Sequence, residues 1–165
     1  MNPLPMIDAP LAVQLHILSA LPALILGPVA LFRRRRDRWH KLIGRTWAAS
    51  MFALALSSLF IHDNPIIGPF SPIHALSILT FWGLFTGIRA IRRGDRRGHA
   101  QAMRGLYVQA LILASVLTLL PGRRISTALF PENPEIGLSI AVVCGVILAL
   151  VAYRLPIPQS HAPHA

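Results

Sequence analysis

The sequence predicts an all-α membrane protein: a four-helix transmembrane bundle built from a duplicated helical hairpin, plus a fifth C-terminal transmembrane helix. Three observations carry this expectation. The 165 residues are 54% hydrophobic and only 13% charged, where soluble domains are nearer a quarter charged. Several apolar stretches approach or exceed about 18 residues, the length of a membrane span. Finally, "RRRRDRWH" at 33–40 returns as "RRGDRRGH" at 92–99, and internal repeats outrank local pattern in reading a fold.

The elements follow in order. Residues 1–10 form a short outside segment without a basic n-region or a clear small-residue cleavage site, so no removed signal peptide is expected. Spans are expected at 11–32, 42–62, 72–91 and 101–121, which make up the core, 11–121. Stretches such as "MFALALSSLF" and "AVVCGVILALVAY" carry no polar face of the kind a soluble bundle needs. An outside loop at 122–135 leads to the fifth span, 136–153, and a Pro-rich cytoplasmic tail, 154–165.

The net charge of +10 raises the question of nucleic acid, and its distribution answers it. Arg33 to Arg36, Arg38, Lys41 and Arg45 surround the first loop. Arg89, Arg92, Arg93, Arg96, Arg97 and Arg104 surround the third, and Arg154 follows the last span. Only Arg123 and Arg124 fall on the side that holds Asp8, Asp63, Glu132 and Glu135. Basic residues stay in the cytoplasm during insertion. The expected topology is therefore a multi-pass bacterial inner-membrane protein with its N-terminus outside and its C-terminus cytoplasmic. Anionic lipids at the cytoplasmic face are the expected partner of this charge, and nucleic acid is not. A homodimer is compatible with the chain.

Cys144, the lone cysteine, excludes an intrachain disulfide, and no CxxCH motif exists for covalent c-type haem. The repeat runs from about 14–62 to about 72–121. "HILSAL" at 16–21 matches "HALSIL" at 74–79, and His40 and Arg45 match His99 and Arg104. Asp37 and Asp95 are suited to N-capping, which sets His40 and His99 in the first turn of the even-numbered spans. His16 and His74 then lie near the outer ends of spans 1 and 3, and His40 and His99 near the inner ends of spans 2 and 4. Spans 1 and 3 can face each other across such a bundle, as can spans 2 and 4.

Three chemistries suit these histidines. Two imidazoles from facing helices make an axial pair for haem b. Zinc or copper would need further ligands that neither level offers. Proton or solute transfer is the third, since intramembrane histidines mark function, although a carrier usually shows broken helices. Pro22 and Pro28 in span 1 have no copy in span 3. Against all three stands a structural role at the membrane interface, which suits His62. His161 and His164 lie in the tail, too far along to join a buried site. Ala20, Ala23, Gly27 and Ala30 form a small-residue face beside His16; it admits either a flat macrocycle or a neighbouring helix. Arg45 and Arg104 either meet haem propionates or snorkel to inner headgroups.

"HILSALPALILGPVALFRRRRDRWHKLIGRTW" together with "SPIHALSILTFWGLFTGIRAIRRGDRRGHAQAMRGLY" resembles a family of small bacterial integral membrane proteins known only as a domain of unknown function. That resemblance covers roughly 11–121 and implies no activity. The histidine layout is similar to that of the di-haem transmembrane b cytochromes of the ascorbate-reducible class, and "IHALSILTFWGLF" looks like the stretch after a ligating histidine there. This resemblance implies two b haems, held by His16 with His74 outside and by His40 with His99 inside. It implies transmembrane electron transfer, with a quinone or a redox protein as partner. No ascorbate-binding signature accompanies it. No nucleophile–base–acid constellation is present, so any oxidoreductase activity would rest on the cofactor. The alternative is a cofactor-free membrane protein acting in assembly, as an accessory subunit or in transport.

Overall fold

The computed structural model describes residues 8–33, 35–61 and 72–154, and these are helical, with no strand among them. The helices are α1 (Leu11–Phe32), α2 (Arg38–Ser58), α3 (Pro72–Arg92), α4 (Arg96–Gly105), a π-helical stretch (Leu106–Ile112), α5 (Leu113–Thr118), α6 (Arg124–Leu129) and α7 (Pro134–Arg154). His62, His161 and His164 lie outside the described residues.

Both expected caps are present. The Asp37 carboxylate accepts from the His40 amide at 3.1 Å and starts α2. Asp95 accepts from Gly98 N at 2.8 Å and starts α4. Between α3 and α4 the chain turns at Gly94, whose φ of +79° lies in the left-handed region that a Cβ disfavours. Arg36 holds the matching place in the first copy, so the two turns have different shapes despite their shared phrase.

Four helical runs are long and apolar enough to cross a membrane: 11–32, 73–92, 96–118 and 134–154. The expected span 42–62 is not among them, so four of the five expected spans meet that length and composition among the described residues. The helix begins earlier, at Arg38, and carries Arg38, Lys41 and Arg45 in its first two turns, with Ser57 and Ser58 at its end. These residues dilute its apolar run. The expected fourth span also begins earlier, at Arg96, and changes to π geometry midway. The loop expected at 122–135 contains the short helix α6.

The packing order places the site. α1 lies antiparallel along α2: His16 meets Leu54 and Ser57, and Trp47 meets Ala23. α2 meets α3 through Ser58 with Ser77 and through an edge-to-face pair of Phe52 with Phe81 at 5.3 Å. α3 meets α4 and the π stretch where Gly87 and Gly83 let Met103 and Leu106 approach. α1 closes the ring against α4 and the π stretch, while α1 with α3 and α2 with α4 make no substantial contact. The result is an up-down-up-down ring with α1 opposite α3 and α2 opposite α4. α7 packs outside it, against α5, α6 and the π stretch.

The small-residue face of α1 is filled by side chains. Trp47 Nε1 donates to the Ala23 carbonyl at 3.0 Å, and the Tyr107 ring lies over Gly27. Trp47 and Tyr107 are each 2% exposed and join Ala23, Met51, Leu84, Met103 and Leu106 in the core. Packing between helices is therefore the explanation of Ala23 and Gly27.

Candidate functional site

Antiparallel packing sorts the four repeated histidines into two levels. His16 on α1 and His74 on α3 lie at the end where α2 finishes, and His40 on α2 and His99 on α4 lie at the end where α1 finishes. Each pair comes from helices opposite each other in the ring. Along α2, Leu54 at the first level stands fourteen residues from His40, or about 21 Å. Trp47 sits halfway between them.

His16 Nδ1 lies 3.1 Å from the Leu54 carbonyl oxygen. A carbonyl only accepts, so Nδ1 carries a proton, and in the neutral ring Nε2 is then the lone-pair nitrogen. The Ser57 hydroxyl sits 3.3 Å from the same Nδ1. His99 repeats the arrangement at the other end, with Nδ1 2.9 Å from the Gly87 carbonyl oxygen. In metal proteins a ligating histidine typically donates its second nitrogen to such an acceptor, which fixes tautomer and ring direction.

The other two members differ. His74 is buried, 7% exposed. His40 is half-buried, and the Arg36 guanidinium donates toward its ring, 3.2 Å from Nδ1 and 3.5 Å from Nε2.

A layer of buried hydroxyls accompanies the His16–His74 level. Ser57, Ser58, Ser77 and Thr80 are 7%, 2%, 3% and 2% exposed. Ser58 and Ser77 are hydrogen-bonded to each other across α2 and α3, while each also reaches a carbonyl of its own helix. Ser77 stands one turn beyond His74, so the hydroxyls lie between the two outer histidines. The sequence offers a signal for these groups in "LSSLF" inside an apolar run and in the serine shared by "HILSAL" and "HALSIL".

The two arginines separate. Arg45 is exposed on α2, as expected of a side chain reaching for headgroups. Arg104 is buried, 9% exposed, just before the π stretch. Among the described residues no three histidine, cysteine or carboxylate groups come together as metal ligands. A zinc site built from protein ligands alone is therefore not formed there. A shallow pocket of about 180 Å³ between α3 and the π stretch is lined by Leu79, Trp82, Gly105 and Gln109 but by no histidine.

The model of a family described as "Predicted membrane protein (DUF2306)" matches residues 13–152, a stretch that contains both hairpins and α7. The chain belongs to this family. Four helices long and apolar enough to cross a membrane, in an all-helical fold, agree with that description of this DUF2306 member as an integral membrane protein and fit a multi-pass one. No curated protein and no solved structure matches the chain.

Proposed function

We propose that this protein is a di-haem b-type membrane electron carrier, with one haem held at each end of the bundle by opposite helices. The observation that carries the reading is the register: two imidazoles at each level, contributed by diagonally placed helices. The donor set suits haem better than a bare metal ion, because the macrocycle supplies four ligands and asks the protein for only two. His16 and His99 have Nδ1 held by carbonyls, the arrangement that turns Nε2 toward a metal in metal proteins. His40 would join His99 once the Arg36 guanidinium moves from its ring, and His74 would join His16.

Haem would supply reversible one-electron chemistry at each level. The chain supplies ring orientation through Leu54 and Gly87, and it excludes water between the levels with Trp47 and Tyr107. The buried cation of Arg104 favours an anionic group such as a propionate nearby. A membrane quinone or a redox protein is the proposed exchange partner.

The full architecture belongs to the same proposal: a duplicated hairpin and five crossings, in a bacterial inner membrane with the N-terminus outside. Antiparallel pairing of α2 along α1 supports α2 as the additional crossing. The matched caps at Asp37 and Asp95 support the duplication.

The visible spectrum of the purified protein tests this function. A b-type α-band should develop on reduction with dithionite, and His16→Ala and His99→Ala should each remove about half of the haem. A colourless protein from cells supplied with haem precursors sinks the reading in favour of a cofactor-free role.

A further inference from the structure

We propose that the two arginine turns together form a binding site for a phospholipid carrying two phosphates, one phosphate held by each turn. The first turn presents Arg35, Arg36 and Arg38, and the second presents Arg92, Arg93 and Arg96; all six are exposed. Both turns lie at the same end of the bundle, because α1 and α3 run toward it and α2 and α4 leave from it. They adjoin there, because α1 packs on α4 and α2 packs on α3.

At these turns the arginines outnumber the carboxylates Asp37 and Asp95. Among the described residues the ion pair in this region joins Arg33 to Asp37, at 2.6 Å. Asp95 is occupied with the Gly98 amide. Both turns are also shaped in advance, the first by that ion pair and the Asp37 cap, the second by Gly94 and the Asp95 cap. Topogenesis explains the sign of this charge. It does not require two ordered cationic turns to stand side by side.

Arginine recognises phosphate through paired N–H groups in a fixed plane, and basic pockets at the inner membrane face are suited to such headgroups. A lipid with one phosphate can satisfy one turn. A lipid with two phosphates on one glycerol bridge satisfies both, and its second contact forms at the effective concentration set by the first. Arg36 also touches the proposed haem ligand His40, but lipid binding is read without haem, so the two readings fail separately.

Native mass spectrometry of the detergent-solubilised protein tests it, using cardiolipin, phosphatidylglycerol and phosphatidylcholine at equal phosphate. Cardiolipin should bind at least about tenfold more tightly than phosphatidylglycerol, as a modest share of the gain possible for two linked contacts. Phosphatidylcholine should bind weakest. R35Q/R38Q and R92Q/R93Q should each reduce cardiolipin to the level of phosphatidylglycerol, whereas R123Q should leave it unchanged. Melting temperatures without lipid establish that the variants are folded, and the wild-type comparison needs no variant. Equal binding of cardiolipin and phosphatidylglycerol by the wild type overturns the proposal, as does an equal loss in R123Q.

Discussion

At the scale of single residues, Asp37 shows how much one side chain settles. Arg33 donates to both of its oxygens, at 3.1 and 2.6 Å, while the His40 amide donates to one of them. The Arg33 guanidinium first, and then the His40 amide, hold the Asp37 carboxyl down at about 2. A carboxyl depressed by folding stabilises above its ordinary value near 3.8 and loses that contribution as pH falls toward the folded value. Amide protection at His40, measured by hydrogen exchange, should therefore stay level from pH 8 to 5 and collapse between about 4 and 2. Asp37→Asn should keep the cap, since Asn is an equally good N-cap, yet lose this acid dependence. A collapse already complete at pH 5 would assign the turn to a histidine instead. Asp37 was readable in the sequence because its capping role depends only on neighbours three residues away. The tether to Arg33 was not, since four other arginines surround it.

At the scale of elements, legibility follows the range of the forces. Helix starts, the apolar runs of α1, α3 and α7, and the sorting of histidines by end depend on local pattern and could be read directly. The π stretch could not, because it changes the register of a continuous apolar run without changing its composition. The filling of the Ala23–Gly27 face was also hidden: it required knowing that Trp47 from α2 and Tyr107 from the π stretch converge there. Likewise Ser57 and Ser58 look like interruptions of a span until their partners on α1 and α3 are in place. These contacts make two glycines on neighbouring helices unequal. A methyl on Gly27 would overlap the Tyr107 ring, whereas one on Gly44 would meet no atom within 4 Å. Gly27→Ala should cost about 1–3 kcal/mol through overpacking. Gly44→Ala should be neutral or stabilising by up to about 1 kcal/mol through helix propensity. Thermal unfolding in one detergent distinguishes them, and equal effects would place Tyr107 elsewhere.

At the scale of the whole molecule, the open question is how many times the chain crosses the membrane, and α2 decides it. Its composition argues against a crossing, since Arg38, Lys41 and Arg45 occupy its beginning. Its packing argues for one: contacts run from Trp47 against the Ala23 carbonyl to Ser57 against His16. A helix paired antiparallel over that length traverses what its partner traverses. The three cations then sit at headgroup depth, where long basic side chains reach water at little cost. Five traversals would also collect both arginine turns and Arg154 at one end, as retention of positive charge favours. Five traversals put the segments before α1 and after α7 on opposite faces, and four would put them on the same face. Reporters fused at each terminus, one active only in the cytoplasm and one only outside, should therefore give opposite signals, with the C-terminal fusion cytoplasmic. A chain with both termini on one face would mean that α2 lies along the membrane surface. The His16–Leu54 and Ser58–Ser77 contacts could not then coexist with α1 and α3 as spans, and both histidine levels would lose the helix that links them.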